Sequence, residues 1–411
     1  MKISVQQLQA IKADRAIYIW GAMIVGQGVC RSLERHHISV HGFLDSSLEL
    51  QKNMALGYAI QSPALLDTYG KDQRLIIIGS GHYDREIETI CLEKGLVANV
   101  DYVLSRDLND IDPSIDVAGS CNLKCISCPR GNMEDVTPKG VMSLEDYRLV
   151  LNKLLAEIPL LGSIQLYTWG EPFLHKKLPE IIAMNREAKV LTAISTNLNV
   201  SVAYDRFLVE KPDWIKVSAS GFGPNYEITH TGGKWEVFLA NLNRLAETRD
   251  RIHPELQIVL NYHLYKHNCT DDYHKMQALC QELKLIFRAN HAYVYPLDIV
   301  MDDLEKKPIP QQAQEVKNLL LMTLEEGLQK SQARKHLPCP EERCLPITWD
   351  RRVRFCGVYF KPFLADDFLS ETVEDLMTAR KQSQFCEHCK SYGLHQYTGV
   401  YLEETLLTQK L

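Results

Sequence analysis

The chain has 411 residues, 45% hydrophobic and 24% charged, which is the range of a folded globular protein with room for two or three domains of roughly 150 residues. With 46 basic residues against 52 acidic, a net charge of −6, it lacks the basic excess of a protein that lives on phosphate backbones, so nucleic acid is not expected as a partner. No apolar run approaches the roughly 18 residues of a membrane span, and the N-terminal stretch has no long apolar core or small-residue cleavage site, so a cytoplasmic chain with reduced thiols and no membrane contact is expected.

The first hundred residues alternate strand and helix signals. Ala16–Trp20 reads as a strand, then Gly21 and a helical pattern to about Arg35; Ile38–Leu44 reads as a second strand ending at Asp45. Arg74–Ile78 reads as a third, followed by Gly79-Ser80-Gly81 and a helix to about Gly95. This alternation predicts a Rossmann-like parallel sheet over residues 1–105. Gly21-Ala22-Met23-Ile24-Val25-Gly26 is similar to half of the dinucleotide fingerprint G-x-G-x-x-G, with Met23 where the middle glycine lets a pyrophosphate approach. Asp45 stands near the usual place for a ribose-binding acid. A nucleotide site and a tight turn without a ligand both remain open.

Residues 100–112 are polar and read as a linker. A second βα rhythm fills 112–300, with strands expected at Ile115–Ala118, Ile164–Thr168, Leu191–Ser195, Trp214–Ser218, Ile258–Asn261 and Ala292–Tyr295. Helical stretches such as Leu144–Ile158, Trp235–Thr248 and Asp272–Leu283 lie between them. Six such units predict a partial (β/α)6 barrel, a fold whose chemistry sits at the C-terminal strand ends. Residues 311–336 carry one long helical pattern, expected to bridge over 308–336 to a small cysteine-rich domain at 337–411. The fold class is therefore α/β in three parts.

Twelve cysteines are present, and their clustering points to metal or redox centres rather than disulfides. Cys121, Cys125 and Cys128 form C-x3-C-x2-C directly after the first barrel strand. Three thiolates on one loop can hold three irons of a cubane and leave the fourth open to a small molecule. This motif resembles that of the radical S-adenosylmethionine (SAM) enzymes. Trp169-Gly170-Glu171 is similar to the family's G-G-E motif, with Trp169 replacing the first glycine. The resemblance implies a 4Fe–4S cluster on the three cysteines and SAM bound by this motif, by Ser195, Thr196 and Asn197 at the third strand end, and by Ser218 and Ser220 at the fourth. Ser127 departs from the aromatic residue that many members carry before the third cysteine.

Cys339, Cys356, Cys386 and Cys389 resemble the ligands of a second, auxiliary 4Fe–4S cluster in the SPASM and twitch extensions of the same superfamily. Arg351 stands where that extension usually has glycine. Cys344 is surplus: it can replace Cys339 as a ligand or act as a catalytic hydrogen-atom donor. A structural zinc site is the alternative for the group. His263, His267 and His274, with Asp271 and Asp272 nearby, read as either a further metal site or a solvated connection. His230-Thr231-Gly232-Gly233 reads as either an anion-binding helix start or a plain turn.

The resemblance implies an oxidoreductase or epimerase that generates a 5′-deoxyadenosyl radical and acts on a polar small molecule such as a sugar, nucleotide sugar or aminocyclitol. A flavodoxin or ferredoxin would supply its electrons. Modification of a ribosomally made peptide is the second expectation. A zinc-stabilised Rossmann-like binding protein without catalysis is the third.

Overall fold

The computed structural model describes residues 2–81, 83–133 and 139–408, with side chains to Leu402. The last three residues of the expected 337–411 domain therefore lie outside the described residues. The chain divides into two compact units, one of residues 1–112, 151–164 and 183–192 and the other of residues 113–150, 165–182 and 193–411.

The first unit is built on a sheet of β1 (Ala16–Trp20), β2 (Gly42–Leu44), β3 (Met54–Ala55), β4 (Tyr58–Gln61), β5 (Arg74–Ile78) and β6 (Tyr102–Leu104), in the order β3-β4-β2-β1-β5-β6. All neighbours run parallel except the β3–β4 pair. Both faces are covered. Ile17, Ile19, Leu75 and Ile77 enter one apolar cluster, and Tyr18, Trp20, Ile76 and Ile78 enter another. This is why β1 and β5 read as unbroken apolar runs. The second strand is shorter than Ile38–Leu44, because the parallel pairing of β1 with β2 begins at Tyr18 and Gly42. The expected linker at 100–112 contains β6 and a short helix, Ser105–Leu108. Tyr102, Val103 and Leu104 pair with β5 and are buried, which overrides the polar residues around them.

The second sheet carries β7 (Asp112–Ile115), β8 (Ser163–Gln165), β9 (Leu191–Thr196), β10 (Trp214–Ala219), β11 (Gln257–Leu264) and β12 (Ile286–His291). They stand in the order β12-β11-β10-β9-β8-β7, and β13 (Cys344–Ile347), β14 (Val353–Arg354) and β15 (Phe363–Ala365) continue it beyond β7. The six βα strands run parallel wherever their register is defined. β10 alternates half-buried and buried residues along its length. One face is thus apolar, with Ile215, Val217 and Ala219 fully buried, and the other is polar.

Three expectations are corrected here. The first barrel strand is Asp112–Ile115, not Ile115–Ala118, because Asp116 N–H turns to the Ile347 carbonyl. The sixth strand is Ile286–His291, not Ala292–Tyr295. Its alternating Phe, Arg, Ala, Asn and His hide a strand, while the apolar run after it packs Ala292 and Val294 into a core with Leu297 and Leu320. The single helix over 308–336 is two helices, Gln311–Leu319 and Leu324–Ala333. Between them Leu320 bridges to Tyr265, and Thr323 starts the second helix with a capping box closed by Glu326. Among the described residues no helix is long and apolar enough to cross a membrane.

Candidate metal and cofactor centre

Below the mouth of the second sheet, Asp116 follows directly on β7 and holds the loop after β8. Its Oδ1 accepts the N–H groups of Thr168, Trp169 and Gly170 at 2.6, 3.0 and 3.1 Å. Gly170 passes so close to Ala118 that a Cβ there would lie 1.7 Å from the Ala118 carbonyl oxygen. Only glycine fits this position. With the N–H groups satisfied from beneath, the carbonyls of Trp169 and Gly170 accept no hydrogen bond from the described residues. These are free acceptors suited to an ammonium group.

Glu171 is buried. Its Oε1 accepts from Phe173 N–H at 3.1 Å and its Oε2 from Asn197 N–H at 2.8 Å. Burial pushes its carboxyl up to about 7, against the pull of these donors. It ties the ends of β8 and β9 together, and its oxygens face backbone rather than open space. The carboxylates of Asp116 and Glu171 are thus positioning groups that sequence alone assigns incompletely: Asp116 carries no motif signal at all.

The cysteine loop is pinned at several points. Lys124 and Ile126 donate to the carbonyls of Thr231 and Thr229 at 2.9 and 3.2 Å. Asn132 Nδ2 donates to the Tyr295 carbonyl at 2.8 Å, and Arg130 Nη2 to that of Gly119 at 2.7 Å. Cys121 Sγ accepts from Leu123 N–H and from Asn197 Nδ2 at 3.4 and 3.5 Å. Burial pushes the thiols of Cys121 and Cys128 up to about 11 and 12. It also raises Cys125 well above the ordinary thiol range, with the other two thiols adding repulsion. Three half-buried thiolates that repel one another need a cationic centre to stay ionised.

Among the described residues the one His, Cys, Asp or Glu group with all ligand atoms within 4.8 Å is Glu341, Cys344 and Cys356. Three thiols on the 121–128 loop, with no fourth protein ligand in the motif, are a donor set that fits a cubane cluster with an open corner.

The other expected cofactor residues separate into two groups. Asn197 touches the cysteine loop, and Thr196 is buried with its Oγ1 accepting from Leu198 N–H at 3.1 Å. Ser195 and Ser218 lie half-buried on the polar face of β9 and β10. Ser220 is buried, its Oγ 3.2 Å from His263 Nδ1.

Cys339, Cys356, Cys386 and Cys389 line one apolar cavity with Phe355 and Tyr359. The last two sit on the helix Gln384–Ser391, started by the Ser383 cap. Cys344 lies beside this cavity. Its Sγ accepts from Gly357 N–H at 3.2 Å and is 3.5 Å from Arg380 Nη1. Cys356 is driven well above the ordinary thiol range by its hydrogen bond with Cys344 and by burial. Arg351 takes φ 66°, the conformation that suits glycine, and pairs with Asp146 and Asp367 at 2.6 and 3.3 Å.

The expected histidine group does not gather. His263 bonds to Ser220 and Asn261, His267 stacks on Tyr265, and His274 is exposed beside Tyr273. In the first unit the turn after β1 is tight, since a Cβ on Gly26 would lie 1.9 Å from the Gly21 carbonyl oxygen. Its Ala22 N–H is taken by Asp45 at 3.1 Å, and the Ser80 and Gly81 N–H groups by Asp84 at 3.0 and 2.7 Å.

No family model matches the chain. A curated relative, Fe-coproporphyrin III synthase of Methanosarcina barkeri (strain Fusaro / DSM 804), is 26% identical over 191 residues, 46% of this chain and 40% of the relative. Among solved structures, BtrN in complex with AdoMet and 2-DOIA matches at 14% identity, covering 72% of this chain and 92% of that one with TM-score 0.41. anSMEcpe with bound AdoMet matches at 15% identity, 71% and 83% coverage and TM-score 0.45. Streptococcus suis SuiB bound to S-adenosylmethionine matches at 13% identity, 76% coverage of each chain and TM-score 0.43. Each of these three structures holds bound AdoMet. The chain spans two fifths of the curated relative's length.

Proposed function

We propose that the chain is a radical SAM enzyme acting on a polar small molecule. Cys121, Cys125 and Cys128 would hold a 4Fe–4S cluster, and the carbonyls of Trp169 and Gly170 would accept from the amino group of SAM. The observation that carries this reading is the thiol trio held through Asn197 beside the 169–171 loop, whose Trp169 and Gly170 carbonyls accept no hydrogen bond from the described residues. When bound, such a cluster with SAM supplies a one-electron cleavage of the sulfonium and so a carbon radical able to take hydrogen from an unactivated carbon. The chain's own residues do the rest. Asp116 and Glu171 orient the loop, Asn197 steadies Cys121, and the polar face of β9 to β12 receives the substrate.

Cys339, Cys356, Cys386 and Cys389 would hold an auxiliary cluster within the 337–411 domain, the shared cavity favouring Cys339 over Cys344 as ligand. Cys344 would then serve as a thiol near that cluster. Oxidation of a sugar, nucleotide sugar or aminocyclitol is preferred to epimerisation, with a flavodoxin or ferredoxin as reductant and the cytoplasm as the setting. A peptide substrate is the second reading. It is favoured by no particular feature of the 1–105 domain, which is a parallel Rossmann-like sheet.

Anaerobic reconstitution with iron, sulfide, SAM and dithionite tests the proposal. About eight irons per chain and formation of 5′-deoxyadenosine are expected. A colourless protein that holds zinc, or iron-loaded protein that leaves SAM intact, would overturn it.

A further inference from the structure

The polar face of the second sheet has a charge balance that narrows the substrate. Lys216 is central on β10, in register with Ser195 on β9 and with Val259 on β11. Its Nζ lies 4.9 Å from the centroid of the Tyr167 ring, a cation–π contact. Among the described residues it makes no ion pair. The hydroxyls of Ser195 and Ser218, one strand position across and two along, make no hydrogen bond with described residues either. The Asp116 and Glu171 carboxylates are occupied by backbone N–H groups.

The neighbouring polar side chains do not supply a counter-charge. Asn290 donates to Asn261 at 2.6 Å, Asn261 Nδ2 lies 3.0 Å from His263 Nε2, and His263 Nδ1 faces Ser220 Oγ. This chain of bonds assigns the His263 proton to Nδ1, because the amide nitrogen can only donate to Nε2. The imidazole is therefore neutral. Further along the same face Arg288 lies over Trp214, 5.7 Å from its ring, and adds a second positive charge. A half-buried ammonium flanked by two free hydroxyls, with no ion pair to an acid among the described residues, is a receptor for an oxyanion.

We propose that Lys216, with Ser195 and Ser218 serving it in place of the SAM contacts expected of them, binds a carboxylate or phosphate group of the substrate. This rests on the reading of that face as the substrate site and deepens it. It favours an anionic substrate, such as a nucleotide sugar or a sugar acid, and disfavours a cationic aminocyclitol.

Calorimetric titration of the full chain with malonate, with inorganic pyrophosphate and with glucosamine tests it, using probes that need no turnover. The wild-type protein should bind malonate, pyrophosphate or both, and not glucosamine; which oxyanion binds tells carboxylate from phosphate. Lys216→Met should weaken that binding about tenfold or more, Lys216→Arg should restore part of it, and SAM affinity should be unchanged in both. Acetylation of the Lys216 amine, followed by mass spectrometry of wild-type protein, should be slowed by the same oxyanion while exposed Lys71 is unaffected, a readout that needs no variant to fold. Absence of oxyanion binding, binding unchanged in Lys216→Met, or loss of SAM affinity with it would overturn the proposal, the last by giving Lys216 to the carboxylate of SAM itself. If oxyanions bind but no 5′-deoxyadenosine ever forms, the oxyanion site stands and the radical reading fails.

Discussion

The two parallel sheets of this chain use strands of similar length for opposite purposes. In the first, successive residues of β1 and β5 enter apolar clusters on both faces. In the second, β10 and β11 bury one face and present Lys216, Ser218, Asn261 and His263 on the other. A sheet sealed on both sides is a structural element with no room for a ligand at its middle. A sheet sealed on one side has a surface whose chemistry can be chosen. The difference teaches where substitutions should alter stability and where they should alter only function.

The sharpest break of that comparison is Cys125→Ser at the mouth of the second sheet. It should abolish 5′-deoxyadenosine formation and lower reconstituted iron, while thermal unfolding of the apoprotein stays near wild type. Ile77→Ala in the doubly covered sheet should do the reverse, costing about 2–5 kcal/mol in urea unfolding with radical formation retained under folding conditions. A loss of under 1 kcal/mol there would mean the face is less closed than its full burial implies.

Acid should expose the polar face next. Burial, helped by the positive charge of nearby Lys216, holds the His263 imidazole down to about 4. Its folded affinity for protons is below its unfolded one, so its contribution is intact above about pH 6.5 and is lost as pH falls towards 4, on the order of 3 kcal/mol in all. The stability curve of His263→Gln should be flatter over that window, with the part due to His230, which burial holds down to about 3, remaining; an unchanged curve would show that His263 is already hydrated. The smallest effect belongs to Ser218→Ala, within about 0.5 kcal/mol of wild type by urea titration, since its hydroxyl has no partner to lose.

Sequence periodicity revealed the first sheet better than the second. Unbroken runs such as Arg74–Ile78 announce strands buried on both faces, and Trp214–Ala219 shows its alternation openly. Ile286–His291 was obscured because its polar positions serve the open face rather than solvent. The split between Gln311–Leu319 and Leu324–Ala333 was missed because Leu320 leaves the helix for a bridge with Tyr265, a contact far away in sequence. At the site, the cysteine spacings and Gly170 were legible, being local. Asp116 was not, since its partners lie more than 50 residues on, and Lys216 looked like any lysine on an alternating strand.

Fastening the 168–170 loop from below has a practical outcome for redesign. The backbone there is riveted by a carboxylate and a close carbonyl, so the indole of Trp169, its ring 4.7 Å from that of Tyr295 at a tilt of 37°, is an interchangeable tile on a fixed frame. Exchanging that tile offers a way to resize the chamber overhead while leaving the rivets, and whatever they align, undisturbed.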